Sequence, residues 1–514
     1  MGTTDHDSVA GAEPGPLLQA RRDKRRRIIE EGGQPYRSSY SEPGRLRLSE
    51  DLHRQFEELG TGESSGVEVA VAGRLMARRQ HGRMSFADLK DSKGTIQLML
   101  RENVTGTDAF SRFAEIDLGD WVGATGELVR TRRGELTVAV ESFELLSKSL
   151  RPLPEKWHGI KDKELRYRRR YLDLIMNESA RRVLEDRAAL IKETRRFLDQ
   201  RGFVEVETPM LQVLTGGAAA RPFVTRHNAL GMDLYLRIAP ELYLKRLLVG
   251  GYDRVYELNR NFRNEGISPR HNPEFTMLEA YHAFVDYRFL ADFVEEMIFT
   301  FALAVRGTPD IEFAGSRIPL ERPWKRVTML EALREYAGLE VDLSMDPASL
   351  SAIAAEHGVE APRGGGSGHI IAELYEKLVE PKLIEPTVVM DYPVEISPLA
   401  RAKPDAPGLT ERFEVLIAGQ EIANAFSELI DPVEQRERFQ EQHARRLAGD
   451  REAHVLDEEY LTAMEYGMPP AGGLGVGIDR LAMLVTGCSN IRDVITFPHM
   501  RPEGGRSTGG GVEE

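Results

Sequence analysis

From Val67 the chain alternates. Val67, Val69 and Val71 are separated by Glu68, Ala70 and Ala72, which is the period of a half-buried strand. Four more strand-like runs follow, over residues 84–89, 95–100, 121–129 and 136–145. Turn signals divide them, among them Asp91-Ser92-Lys93-Gly94 and Arg132-Arg133-Gly134. Five short strands in about 80 residues suit a small barrel of the OB type. Such a barrel is often a platform for single-stranded nucleic acid, with stacked aromatics and a basic groove.

Elsewhere the period is helical. Residues 17–32 read as a charged helix stopped by Gly32-Gly33, and a second short helix is expected over 49–59 before a Gly/Ser break at 60–66. A long helix is predicted from about 179 to 200, ending at Gly202. Residues 203–209 then read as a strand closed by Pro209. Beyond it helices and strands mix without strict βαβ alternation, which favours an α+β domain, an antiparallel sheet flanked by helices, over a doubly wound fold. Arg151-Pro152-Leu153-Pro154 has the composition of a stiff linker. The expected organisation is a tail and charged extension (1–66), the barrel (67–150), a linker (151–163), the large domain (164–501) and a tail (502–514).

Composition adds boundaries. The chain has 514 residues, 41% hydrophobic and 29% charged, the profile of a globular protein of two or three domains. No apolar run approaches the ~20 residues of a membrane helix, and no membrane role is expected. The first sixteen residues lack an apolar signal core. Cys488 is the single cysteine, so no intrachain disulfide can form, which suits a reducing, cytoplasmic setting. The net charge of −14 argues only superficially against nucleic acid. Residues 67–150 are balanced, with 12 basic and 12 acidic residues, and Arg21, Arg22, Lys24, Arg25, Arg26 and Arg27 form a basic run. By itself such a run reads as a solvated helix face.

Two separated segments carry the chemistry. The first is Arg263-Asn264-Glu265 followed by His271-Asn272-Pro273-Glu274-Phe275; the second is Gly473-Leu474-Gly475-Val476-Gly477-Ile478-Asp479-Arg480. Between them stand Glu414 and Glu421. Two arginines, two carboxylates and an aromatic are what a magnesium–nucleotide site needs when it is not a P-loop. Each piece alone is weak, since Gly-x-Gly-x-Gly is usually a turn and Asp-Arg a surface pair.

Their joint order resembles motifs 2 and 3 of the class II aminoacyl-tRNA synthetases, and the chain is similar to the lysyl-tRNA synthetases of subclass IIb over residues 17–501. The matching strings include residues 203–209, 216–223, 236–242, 254–281 and 397–401, and above all Glu421-Ile422-Ala423-Asn424-Ala425-Phe426-Ser427-Glu428-Leu429. The resemblance implies activation of L-lysine by ATP, then transfer of the lysyl group to the 3′ end of tRNA(Lys). It implies a homodimer with residues 203–209 at the interface. Arg263 would hold the α-phosphate and the amino-acid carboxylate, and Arg480 the γ-phosphate. Phe275 would stack on adenine, with Glu265 and His271 near the base and phosphates. Glu414 and Glu421 would hold Mg2+. Glu428, helped by Tyr281, would take the ε-ammonium. Glu241, Glu279 and the backbone at Gly217 would take the α-amino group. Asn424 would join Arg263 on the carboxylate, and Phe426 would pack on the aliphatic stem. In the barrel, Phe86 and Gln97 match residues that stack on and hydrogen-bond the middle anticodon base, with Arg79 beside them.

The charge logic stands without the family. Three carboxylates face a substrate that carries two ammonium groups, and a buried ammonium needs an anion. An aspartyl or asparaginyl relative would need cations in the pocket. A small ligase that attaches β-lysine to an elongation factor would lack the barrel. A non-catalytic lysine- or RNA-sensing paralogue is the third alternative. Leu145-Leu146-Ser147-Lys148-Ser149 looks like a class I signature loop but has no His-x-Gly-His partner, and Cys488 has no metal-site spacing. Two departures stand out: Ala423 where bacterial relatives usually have glycine, and Ile430 in place of asparagine. Ala423 is expected beside the pocket, and the two changes are expected to alter lysine or lysine-analogue selectivity slightly.

Overall fold

The computed structural model describes residues 15–154, 160, 162–362, 364–450 and 452–502. The two tails fall almost wholly outside the described residues, and so does part of the linker. The chain divides into two compact units, residues 1–159 and 160–514.

In the first unit, β1 (Ser64–His81), β2 (Met84–Lys90), β3 (Thr95–Arg101), β4 (Trp121–Arg130) and β5 (Leu136–Ser147) close a barrel in the order β1-β2-β3-β5-β4. Only β3 and β5 run parallel. Val69, Val71, Leu75, Leu89, Ile96, Leu98, Val138 and Val140 fill the interior. Val67 is 40% exposed, so the inward series starts one pair later than the alternation suggests. Between β3 and β4 a helix, Thr107–Glu115, adds Phe110 and Phe113 to the same core.

The basic run lies on α1 (Pro16–Glu30) and is split by helical period. Lys24 pairs with Asp117 at 2.7 Å and Arg27 with Glu115 at 2.7 Å, while Arg21 donates to the carbonyls of Leu118, Ser149 and Arg151. Positions 21, 24 and 27 share one face, so half of the run clamps the helix to its own unit. Arg22 and Arg26 are exposed.

The second unit is built on one eight-stranded sheet. Its strands are β6 (Val204–Glu205), β7 (Arg254–Phe262), β8 (Glu274–Ala283), β9 (Lys325–Thr328), β10 (Thr387–Met390), β11 (Arg412–Ile417), β12 (Gln420–Ser427) and β13 (Ala471–Gly477). They lie in the order β9-β10-β11-β12-β13-β8-β7-β6. The six inner strands are antiparallel, as expected, but both edge pairs are parallel, which makes the sheet mixed. Of residues 203–209 only two form a strand, because the chain then turns its Thr208 N–H to the Glu257 side chain and reaches Pro209, which has no N–H to give.

One face of this sheet is core. Leu278, Ala280, Phe413, Val415, Ala423, Ala425, Leu474 and Val476 pack there with helices Glu178–Asp199, Tyr287–Arg306 and Ile478–Thr486. The opposite face of the same strands carries the polar residues.

Candidate active site

Alternation along four central strands brings the polar positions into register. Arg412, Phe426, Gly473 and Tyr281 stand opposite one another across β11, β12, β13 and β8. Glu414, Asn424, Gly475 and Glu279 form the adjacent row. These rows floor a cavity of about 540 Å³, which also meets Gly217, Glu241, Arg263, Glu265, His271, Phe275, Glu421 and Arg480. That size suits a small-molecule site.

The glycine string follows from this geometry. In β13, Gly473, Gly475 and Gly477 occupy every second position and face the cavity, while Leu474 and Val476 are core. A Cβ at Gly473 would strike the Glu428 carboxylate and the Tyr281 ring, and one at Gly475 would meet Met277 Cε at 2.5 Å. These glycines are therefore a floor, not a turn. Gly217 has φ +85° and its missing Cβ would lie 2.9 Å from that of Glu241, so no other residue fits there without strain.

Glu421 reaches the cavity through an irregularity. Counting by twos from Asn424 and Phe426, it should face the core. A bulge opposite Val415 and Leu416 inserts one residue and places Glu421 opposite Leu416, on the face of Glu414 and Arg412.

At one end of the cavity, Arg480 donates to the Glu421 carbonyl at 2.8 Å and to its carboxylate at 3.1 Å. It also donates to His271 Nε2 at 3.2 Å, while His271 Nδ1 and Ser268 Oγ share a bond of 2.8 Å. Burial and the neighbouring Arg480 push the His271 imidazole below its usual range, so it is neutral at pH 7. Arg263 lies 5.1 Å from the Phe275 ring centre, and its buried Nε has no acceptor. A buried guanidinium N–H without a partner fits a ligand oxygen. Glu265 is exposed at the rim. Glu414 is buried and bonded to Arg412 at 2.7 Å. Burial first, then the facing Glu421, lifts its carboxyl to about 7. A buried carboxyl raised by a facing carboxylate fits a divalent cation held between the two. No cluster of three or more His, Cys, Asp or Glu arranged for a metal occurs among the described residues.

At the other end three acids are buried: Glu241 at the start of helix Glu241–Val249, Glu279 on β8 and Glu428 just past β12. Burial, then Glu241, lifts Glu279 to about 8; burial also lifts Glu428 to about 8 and raises Glu241. The Tyr281 hydroxyl donates to Glu279 at 3.1 Å, so it serves that acid here and not Glu428. Lys245 lies 2.5 Å from Glu428, yet neither Glu428 oxygen has a hydrogen bond of good geometry. Asn424 accepts from Arg412 Nε at 3.1 Å. Arg412 and Lys245 were not singled out in the sequence. Arg412 stands two residues before Glu414 on one strand, hence on the same face. Lys245 follows Glu241 by four in a helix, a spacing that reads as an ordinary surface pair.

Ala423 is a correction. Its methyl is on the core side, opposite Val415 and Val476, and not beside the cavity. Ile430 packs with Leu244, Leu248 and Tyr281 in a satellite cluster.

On the barrel, Phe86 is not core. Ser85, Ala87 and Leu89 point inward and Phe86 is half-buried on the outer face. Arg79 is its cross-strand partner, and Gln97 faces Asp88 two residues along the same face. Arg79 is paired with Asp88 at 3.3 Å, and Gln97 Oε1 accepts from Thr137 at 3.1 Å.

Comparison with known proteins places both units. Residues 162–501 match the family described as class II tRNA synthetases (D, K and N). Residues 69–146 match the OB-fold nucleic acid binding domain. The lysine–tRNA ligase of Carboxydothermus hydrogenoformans is 53% identical over 486 residues, covering 95% of this chain and 98% of its own. That of Moorella thermoacetica is 52% identical, with 95% and 98% covered, and that of Pelotomaculum thermopropionicum 52%, with 95% of each.

Proposed function

The chain belongs to the lysine–tRNA ligases of the class II (D, K and N) tRNA synthetase family, and on that premise we propose how its residues carry the reaction. It activates L-lysine with ATP to lysyl-adenylate and pyrophosphate, then passes the lysyl group to the 3′ end of tRNA(Lys). The observation that carries the substrate is the buried acid set, Glu241, Glu279 and Glu428. An aspartate or asparagine pocket gains nothing from three carboxylates, whereas a diammonium amino acid does.

The lysine carboxylate attacks the α-phosphorus of ATP, so no side chain acts as a nucleophile. Catalysis is positioning and charge stabilisation. Arg263, with its free buried Nε, draws the amino-acid carboxylate and α-phosphate together, and Asn424 steadies the carboxylate. Arg480 takes the γ-phosphate. It already bridges Glu421 and neutral His271, which fixes its fork before ATP arrives. Phe275 stacks on adenine, and Glu265 and His271 lie near the base and phosphates. Glu414 and Glu421 would hold Mg2+, which would supply charge neutralisation. Glu241, Glu279 and the Gly217 backbone meet the α-amino group; Glu428 and Tyr281 meet the ε-ammonium; Phe426 lies along the stem. Phe86, Gln97 and Arg79 read the anticodon.

The domain organisation is an extension to residue 66, an anticodon-binding barrel over 67–150, a linker to 163 and a catalytic domain to 501. The enzyme works as a homodimer in the cytoplasm. Support for the dimer is the apolar exposure along residues 204–224, where Val204, Leu211, Val213 and Val224 are 45–61% exposed.

The test is lysine-dependent exchange of labelled pyrophosphate into ATP over a panel of amino acids, with and without Glu428→Gln. Exchange with lysine alone, lost in the variant by at least about 100-fold, is the expected result. No exchange with any amino acid, in folded protein supplied with Mg2+, sinks the reading.

A further inference from the structure

Two of the acids assigned to the amino-acid substrate already share an ammonium. Lys245, on helix Glu241–Val249, is fully buried, and its Nζ lies 2.5 Å from Glu241 Oε1 and 2.5 Å from Glu428 Oε2. It also lies 5.2 Å from the Phe426 ring centre. Burial works against its charge, but the two carboxylates outweigh burial and keep it protonated. The other titratable neighbours carry no charge at neutral pH. Burial and Lys245 hold His454 near 4, and burial raises the Tyr460 phenol. The two closest anions to Lys245 are thus residues assigned above to the substrate.

The arrangement divides the Glu428 carboxylate. Lys245 takes Oε2, whereas Oε1 lies over Gly473 and beside the Tyr281 ring, two residues that line the cavity. The ion pair engages one oxygen of Glu428 and leaves the other, which has no hydrogen-bond partner, for a second cation. Glu241 is anchored by the same Nζ.

We infer that Lys245 is a positioning and specificity-setting residue: its fixed ammonium and the two ammonium groups of a bound diammonium amino acid together supply one cation for each of the three buried acids, which ionise as the substrate binds. An amino acid with one ammonium leaves one buried acid without a cation even where its side chain fits, so that acid stays protonated and its ion pair is not gained. This rests on the lysine-ligase reading and deepens it.

The experiment is a double-variant cycle on the full chain, read by pyrophosphate exchange with separate KM values for lysine and ATP. Wild type must first exchange with lysine; if it does not, the underlying reading fails and not this inference. Lys245→Met keeps the shape and removes the charge. It is expected to raise the lysine KM at least about 30-fold, with ATP KM within about twofold and kcat changed less than lysine KM. In a Glu241→Gln background, where one acid has also gone and the charge count again closes, the same change is expected to raise lysine KM less than about threefold. An equal penalty in both backgrounds, a lysine KM in Lys245→Met within about threefold of wild type, or a matching rise in ATP KM overturns the inference. Where Lys245→Met alone does not fold, the double variant against Glu241→Gln decides. A difference under about threefold supports the charge count, and one of about 30-fold refutes it.

Discussion

On the barrel, Arg79, Phe86 and Gln97 stand on the outside of strands whose inner face is the core. In the second unit, Glu279, Tyr281 and Glu428 stand on a sheet face almost as buried as the core behind it. The barrel face has little to lose on substitution, because its side chains are half in water before any ligand arrives. The cavity holds charges that are desolvated in advance, so every atom there also bears on the fold. Stacking surfaces of the first kind give graded, separable contributions. Buried charge networks of the second kind respond as a unit. The contrast can be broken by variants that affect one region alone.

The largest effect is expected from Gly473→Ala. The new methyl would meet the Glu428 carboxylate and the Tyr281 ring, both on strands or segments fixed by the sheet. Lysine-dependent exchange should fall at least about 100-fold as the acid loses its position, and stability should drop by about 1–3 kcal/mol from overpacking. Exchange kinetics and chemical denaturation on one preparation give both numbers. Full activity in a stable variant would show that Glu428 is freer than its burial implies.

A smaller and cleaner effect is expected from Phe86→Ala. Loss of one base-stacking ring costs roughly 1–3 kcal/mol, or about 5- to 150-fold in tRNA KM. Pyrophosphate exchange and thermal stability should be unchanged, since the ring is outside the barrel core. Aminoacylation with tRNA(Lys), measured beside exchange, separates the two. A drop in melting temperature without a change in tRNA KM would mean that Phe86 serves packing after all.

The same contrast explains what was legible in the sequence. Barrel strands announce themselves, because one face is wet and one dry and the period of two survives. Even the side on which Phe86 lies follows from Ala87 and Leu89. The cavity strands carry polar or small residues on a face that is buried, so hydropathy alone misplaces them, and only the resemblance drew Arg263, Glu414, Glu421, Glu428 and Arg480 together. Three things stayed hidden for physical reasons. Lys245 looks like the outer half of a helical Glu–Lys pair, since burial is a tertiary property. The bulge that turns Glu421 inward has no signature in composition. The parallel edge strands are too short to show a period, β6 having two residues and β9 four.

Ala423 sharpens the comparison at its smallest scale, because a residue one position from Asn424 belongs to the other side of the sheet. Its methyl packs on Val415 and Val476 in the core, so the slight change in selectivity expected from its sequence position has no route to the substrate. Ala423→Gly should instead lower stability by about 0.5–1 kcal/mol, through the extra freedom of glycine in a strand interior. The KM for lysine and for lysine analogues should not move. Denaturant unfolding measures the first and exchange kinetics the second. A shift in analogue selectivity without a loss of stability would mean that the two faces of β12 are coupled through the bulge more tightly than the alternation of their side chains allows.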